Sequence, residues 1–346
     1  MPTNGQPTDR VTMATVAQVA GVSIASVSNA MNNRTGLSAG VRSRILAVAD
    51  GLGYRTNTLA QELRIGRSRT IGLSVADLSN PFYADVSQGV IKAAALLGYD
   101  VFLSNVGPES EALSKVINGF MDRRLGGMLF TSLRNADAEL LRNLQRLHIP
   151  FVKLVRDVQG VEADWVGIDD YSGGLVLAGH VATIGRTVIA CLGGPSDSNA
   201  SSARVNGIRM GLAKSGVEII NETQSNLHGA LTRSSGYQRA MQIIQEFPGV
   251  QCIIGGNDVI AIGILDACRD SGLAVPRDIA VAGFDNMSFS SAGPLQLTTV
   301  DVPRNDIGAI GVKYLIERME GFDGAPRREF LPFDLVRRSS TSPFLS

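Results

Sequence analysis

The rhythm of apolar positions changes once along this chain, near Thr70. Before it, apolar residues recur at helical spacing. Val16, Val19 and Ala20 lie at i, i+3 and i+4, one face of a first helix. Gly21 follows, where a helix ends and positive φ is wanted. Ser23 is placed to cap a second helix, along which Val27, Ala30 and Met31 repeat the spacing. A third segment, Ser38 to Gly51, has Ser38 as its cap and Val41, Ile45, Val48 and Leu52 on one side. Three short helices sharing one small core predict a compact head of roughly fifty residues.

From Thr70 short apolar runs alternate with amphipathic stretches. TIGLSVAD, DVFLSNV, GMLFTSL, FVKLV and WVGID read as strands, with PFYADVSQGVIKAAALLG, ALSKVINGFMDRRL and ELLRNLQRL as helices among them. A second alternating series runs from GGLVLAGHVATIG through TVIACLGG, SARVNGIRMGLAKSG and QCIIGGN to IAVAGFD. Near-continuous apolar strands between amphipathic helices mean parallel sheets covered on both faces. Two such series predict two α/β lobes, and ligands of such sheets bind at the carboxyl ends of strands.

Composition narrows the partners. Hydrophobic residues make up 44% of the 346, enough for a sizeable core, and no long apolar run occurs, so no membrane span is expected. The polar N-terminus MPTNGQPTDR lacks the apolar segment of a secretory signal, and a cytoplasmic location is expected. Cys191, Cys252 and Cys268 form no Cys-x-x-Cys pair and read as buried packing residues. His148, His180 and His228 are scattered without partners at metal spacing, and no GxSxG, P-loop or strand-borne GxGxxG occurs. No metal, cofactor or enzymatic activity is expected. The formal net charge of zero is unevenly spread. Up to residue 70 eight arginines face three acids, giving +5; the remaining 24 basic and 29 acidic residues give −5. A basic head on an acidic body predicts a polyanion as partner for the head alone.

The helix pair around Gly21 has the spacing of a helix-turn-helix. Ala17, four residues before the glycine, permits close approach of the helices, and Val27, six after it, points back into the core. The second helix would then expose Ile24, Ala25, Ser26, Ser28 and Asn29. Such small side chains can lie close to DNA; Asn can pair with a base edge and Ser hydroxyls suit phosphates.

TVAQVAGVSIASVSNAMNN, with LSAGVRSRILAVADGLGYRTN after it, resembles the DNA-binding head of the LacI/GalR family of bacterial transcription regulators. NTLAQELRIGRSRTIGL resembles that family's hinge helix and its junction with the effector domain. The likeness continues through TIGLSVADLSNPFYADVSQGV, GGNDVIAIGILDA, VAGFDNMSFSS and LTTVDVPRNDIG to LPFDLVRRSST, nearly the whole chain. It implies a small all-α helix-turn-helix head at residues 1–56, of which 1–11 are expected to be disordered, and a hinge helix with linker at 57–69. Residues 70–346 then form an α/β two-lobed, periplasmic-binding-protein-like domain for effector binding and dimerisation. Lobe 1 would span about 70–168 and 302–323, and lobe 2 about 169–301 and 324–346, with crossovers near Asp169, Asp301 and Gly324. The implied DNA-binding residues are Thr15, Ser23, Ile24, Ala25, Ser26, Ser28 and Asn29 in the head, and Asn57, Ala60 and Leu63 in the hinge. Leu63 takes the role of an apolar wedge in the minor groove. Asn29 and Gln61 stand where the family often has Arg, so the operator sequence does not carry over.

Strand-end positions supply the ligand candidates: Asp77, Asn80, Phe82, Arg156, Arg204, Asn257 and Asp285. Arg forks can donate to two oxygens, Asp accepts from hydroxyl pairs and an aromatic covers an apolar sugar face. The resemblance implies a sugar or sugar derivative as effector, a pseudo-palindromic double-stranded operator, and a homodimer, with a tetramer left open. Val155 and Val302 replace polar residues common in the family, which makes the cleft less polar. Asp258 reads equally as a ligand contact or a helix N-terminal acid, and Trp165 as a wall of the cleft or, preferably, as packing under the hinge. The alternative, a transport-type sugar-binding protein without a DNA role, fits the lobes but not the helical head.

Overall fold

The computed structural model describes residues 11–31, 35–54, 68–107, 112–221, 227–292 and 296–342. The chain divides into two compact units, Met1–Arg67 and Ser68–Ser346. The hinge candidates Asn57, Ala60 and Leu63, and residues 1–10, lie outside the described residues.

In the first unit, helix α1 is Met13–Ala20, α2 is Ile24–Met31 and α3 is Ala39–Gly51. Thr12 and Thr15 form a reciprocal capping box that starts α1. Gly21 ends it at φ 65°, a conformation a side chain would resist, and the chain turns by 105° into α2. Ser23 Oγ accepts the Ser26 N–H at 3.1 Å and Ser38 Oγ the Val41 N–H at 3.4 Å. The core joins Val16, Ala17, Ala20, Val27, Ala30, Ile45 and Ala49, with Met31, Val41, Val48 and Leu52 packed on its rim. Val19 is not part of it: 58% of its surface is exposed. The buried stripe of α1 is centred between Val16, Ala17 and Ala20, and at about 100° per residue Val19 falls outside that arc.

The second unit begins with strand β1 (Thr70–Val75), helix α4 (Pro81–Leu96) and strand β2 (Asp100–Asn105). Helix α5 (Ala112–Asp122), β3 (Met128–Phe130), α6 (Ala138–Arg146), β4 (Phe151–Leu154) and β5 (Trp165–Gly167) follow. The chain then crosses to a second lobe. There α7 (Asp170–Thr183), β6 (Ile189–Leu192), α8 (Asn199–Ala213), α9 (Arg233–Glu246), β7 (Cys252–Gly255), α10 (Asp258–Asp270) and β8 (Ala280–Ala282) succeed one another. Strand β9 (Thr299–Asp301) leads back to lobe 1 and α11 (Arg304–Met319), followed by β10 (Arg328–Phe330) and β11 (Asp334–Val336).

Lobe 1 holds a six-stranded parallel sheet in the order β10-β5-β4-β3-β1-β2, and lobe 2 a three-stranded parallel sheet in the order β6-β7-β8. Strand β11 pairs antiparallel with β9. The third crossover, expected near Gly324, therefore lies later, between Phe330 and Asp334. Arg328–Phe330 adds an edge strand to lobe 1, where Phe330 stacks on Trp165 at 4.9 Å between ring centroids. Trp165 is thus a packing residue of lobe 1.

Glycines let helices meet backbone to backbone. A Cβ at Gly207 in α8 would collide with the Tyr171 carbonyl oxygen of α7, and one at Gly174 with the Arg204 carbonyl oxygen. This contact fixes the height of α8, and so of Arg204, over the lobe 2 sheet.

Candidate functional site

The head presents one continuous small-residue surface. Ile24 and Ala25 are exposed and Ser26, Ser28 and Asn29 half-buried, while Val27 and Ala30 of the same helix are buried. Ser23 and Thr15 are already engaged in caps: Ser23 Oγ meets Ser26 Oγ at 2.9 Å and Thr15 Oγ1 meets Thr12 Oγ1 at 3.0 Å. The 105° turn between α1 and α2 is within the usual range for a helix-turn-helix.

In the second unit the sheet topology dictates where a ligand can sit. Strand order reverses between β1 and β3 in lobe 1. In lobe 2 it reverses between β6 and β7, since Ile219 bridges to Ile189 on the other side of β6. A crevice opens at the carboxyl ends of such strands. Two adjoining cavities occupy it. The smaller, about 30 Å³, is lined by Asn80, Phe82, Arg156, Arg204, Asn257 and Asp285 among others. The larger, about 590 Å³, takes in Asp77, Asn80, Arg134, Arg156, Asp197 and Thr232. All seven expected ligand positions border one or both.

Local structure explains how each is held. Asn80 and Asn257 are N-caps, accepting from Phe82 N–H at 3.1 Å and Ile260 N–H at 2.9 Å; their amide nitrogens are not used by the caps. Asp77 shapes the turn after β1, accepting from the Ser79 N–H at 2.8 Å and hydroxyl at 2.6 Å. Arg156 donates to the Tyr83 hydroxyl at 2.8 Å. It follows Val155, whose φ of 65° is a costly conformation for a β-branched residue. Asp285 sits at φ 106°, and Arg304, at the start of α11, donates to its carbonyl oxygen and to that of Asn286. Arg304 also donates to Asp85 of α4 at 2.9 Å, so one guanidinium ties the two lobes beside the cleft.

The polar centre is Arg204. Its Nε and Nη2 donate to Asp170 Oδ1 at 3.1 and 2.7 Å, and Nη1 donates to the Gly256 carbonyl. Asp285 Oδ1 stands 3.6 Å from Nη1, and the Phe284 ring lies under the guanidinium at 3.6 Å. Burial pushes the Asp285 carboxyl up to about 8, with Asp258 and Asp170 adding to the rise and Arg204 and Arg304 opposing it. Burial thus favours the protonated form of Asp285, in which the carboxyl can donate as well as accept. Burial raises Asp170 too, against the pull of Arg204.

Asp258 lines neither cavity. It is fully buried and accepts from Met287 N–H at 2.8 Å, Ser290 Oγ at 2.6 Å and Thr299 Oγ1 at 2.6 Å, stitching α10 to the loops after β8. Burial raises its carboxyl to about 6 despite these bonds. Sequence reasoning missed Tyr83, Arg134, Asp170, Asp197, Ser201 and Leu231. Arg134 and Asp197 follow strands β3 and β6 and were within reach of the strand-end rule. Asp170, at the start of α7, carries no local sign that it partners Arg204. The cysteines are buried, with burial pushing each thiol up to about 12. No group of metal-ligating side chains occurs among the described residues, and no single described helix is long and apolar enough to cross a membrane.

A helix-turn-helix unit joined in one chain to a two-lobed, periplasmic-binding-protein-like unit defines a ligand-responsive class of DNA-binding regulators. The comparisons narrow the class. Residues 12–57 match the model of bacterial regulatory proteins of the lacI family, and residues 178–341 that of the periplasmic binding protein-like domain. The HTH-type transcriptional regulator RegA of Clostridium saccharobutylicum is 30% identical over 333 residues, 94% of this chain and 98% of its own. The ribose operon repressor of Escherichia coli strain K12 is 27% identical over 310 residues, 89% of this chain and 93% of its own. The structure of the lac repressor dimer bound to operator and the anti-inducer ONPF superposes with a TM-score of 0.86 at 26% identity, covering 96% of this chain and 99% of the other. The chain belongs to the LacI family and is a DNA-binding transcriptional repressor.

Proposed function

We propose that this repressor acts as a homodimer on a pseudo-palindromic operator, and that a small polar effector, a sugar or sugar derivative, sets its affinity from between the lobes. The observation that carries the reading is convergence. Asn80, Arg156, Asn257 and Asp285 follow four different strands, Arg204 comes from the second turn of α8, and all five border one crevice between two lobes. Its larger cavity, about 590 Å³, has the size of a small-molecule site. Contacts across the crevice, Arg134 to Asp197 at 3.6 Å and Asp157 N–H to Asn199 Oδ1 at 3.0 Å, give closure something to make and break. An effector shifts the repressor only by preferring one lobe arrangement over the other. Dimerisation is supported by the edge strand β2 and the exposed Ile91, Leu96 and Leu97 of the neighbouring α4 and its end, and by the dimeric state named for the lac repressor structure.

In this reading Ile24, Ala25, Ser26, Ser28 and Asn29 face the major groove, with Thr15 and Ser23 beside the backbone. Asn57, Ala60 and Leu63 lie in the minor groove. The test uses the full chain and an operator selected from random duplexes. Sugars, sugar phosphates, nucleosides and carboxylates are screened for a rise in melting temperature, and hits for a change in operator affinity. A hit that is lost in Arg204→Ala yet leaves wild-type operator affinity unchanged would separate the cleft from DNA control. Leu63→Ala should weaken operator binding more than binding to random DNA; equal losses would remove the wedge role.

A further inference from the structure

The larger cavity is bordered by two arginines, Arg134 and Arg156, and two acids, Asp77 and Asp197, whose charges are unevenly paired. Arg156 is only 8% exposed. Its side chain donates to the Tyr83 hydroxyl at 2.8 Å and lies 5.9 Å from that ring's centre, and among the described residues no carboxylate forms an ion pair with it. The nearby acids are engaged elsewhere. Asp157, next in the chain, takes Lys153 Nζ on one oxygen and Arg328 Nη1 on the other, each at 2.5 Å. Asp197 faces Arg134 at 3.6 Å, and Asp137 accepts the Arg134 N–H at 2.7 Å. Val155, at the end of β4, offers no side-chain acceptor. Arg204 is the opposite case, its charge met by Asp170 at 2.7 Å. Asp137 feels the charge of Arg156 at longer range, but among the described residues no carboxylate reaches ion-pair distance, and Nε and Nη1 of Arg156 have no direct protein hydrogen bond.

The rest of the wall suits an anion as well. Asn105 accepts the Leu78 N–H through Oδ1 at 3.0 Å, which leaves its amide hydrogens as donors. Ser132 and Thr232 bring hydroxyls, Thr232 being the N-cap of the 14-residue helix α9. Asp77, held in its turn by Ser79, is the acid that remains at the rim.

We propose that the effector carries an anionic group, a phosphate or a carboxylate, beside its hydroxyls, and that Arg156 seats that group in the larger cavity. The inference rests on the effector reading above and narrows it. Arg204 and Asp285 then take hydroxyls in the smaller cavity, while Arg156 supplies the bidentate, charge-assisted contact.

The test measures melting and calorimetric binding on the full-length protein. Ribose is compared with ribose 5-phosphate, glucose with glucose 6-phosphate and gluconate, and inorganic phosphate and acetate with chloride at equal ionic strength. The anionic members should bind at least about tenfold tighter than their neutral parents, roughly what one charge-assisted contact supplies. In Arg156→Gln that preference should vanish, and Arg156→Lys should restore part of it. A phosphate preference names a sugar phosphate, a carboxylate preference a sugar acid, and either supports the seat. Without ligand, Arg156→Gln should melt close to the wild type, because no direct ion pair is lost; a clear fall would make Arg156 structural and overturn the proposal. Neutral parents binding as tightly as the anions, with Arg156→Gln lowering neither, would overturn the anionic seat and leave the cleft as an effector site. Failure of neutral and anionic compounds alike to bind would overturn both.

Discussion

In the head, Ile24 and Ala25 stand in solvent over a core of small residues, and side-chain hydroxyls are spent on caps. In the cleft, Arg204, Asp170 and Asp285 are each at least nine-tenths buried and hold one another. The two surfaces therefore fail differently. Exposed Ile24 and Ala25 can be replaced without stranding a buried polar partner. A cleft residue cannot, because its partner stays buried and charged or stays short of a hydrogen bond. Binding and stability are separable in the first region and entangled in the second.

The largest effect is expected where that entanglement is tightest. Arg204→Met should lower the stability of the two-lobed unit by about 3–5 kcal/mol near neutral pH, the usual cost of leaving a buried charge without its partner. The double variant Arg204→Met/Asp170→Leu should recover most of the loss, since two apolar residues replace the pair. Chemical denaturation of single and double variants checks this. A single variant within 1 kcal/mol of wild type (roughly the level of an exposed pair) would place the cleft in the same regime as the head.

A smaller effect should follow pH. Burial raises Asp285 to about 8 in the folded chain, whereas an exposed aspartate titrates near about 4. Between these values the unfolded chain has lost the proton and the folded chain keeps it, so stability contributed by the neutral carboxyl is complete below about pH 4 and falls as pH rises towards 8. Asp285→Asn keeps a neutral amide there. Its melting temperature should differ least from wild type near pH 4 and exceed it increasingly up to pH 8. Taking the difference between the two proteins cancels the titrating groups that do not couple to Asp285; Asp258 and Asp170, which do, titrate with it as one cluster. A difference that stays flat with pH would mean that Asp285 is ionised throughout.

What could be read from the sequence follows the same division. The head was legible because its determinants are local: Gly21, Ser23 and Ser38 act within four residues of themselves, and only Val19 was misassigned, by an arc that the packing of α2 and α3 decides. Strand ends made the cleft candidates legible, because parallel sheets expose their carboxyl ends at the crossover. What stayed hidden depends on contacts distant in the chain. Asp170 meets Arg204 across 34 residues and Arg156 meets Tyr83 across 73. The edge strand Arg328–Phe330 pairs with Trp165–Gly167 far upstream, which moved the third crossover beyond Gly324. Short polar strands without their own apolar period carry no local sign of the sheet they join.

The smallest expected effects lie within the head and sharpen its side of the contrast. Ser23→Ala removes the acceptor for the Ser26 N–H and should cost about 1 kcal/mol of head stability, as loss of an N-cap generally does. Asn29→Ala should cost none, because alanine is the better helix former at a half-buried position. Its operator affinity should nevertheless fall by about 1–3 kcal/mol, the worth of one base-edge contact, with binding to random DNA unchanged. Thermal melting and gel-shift titration of the two variants separate capping from reading. If Asn29→Ala lost stability and affinity together, recognition in the head would be as entangled with folding as it is in the cleft.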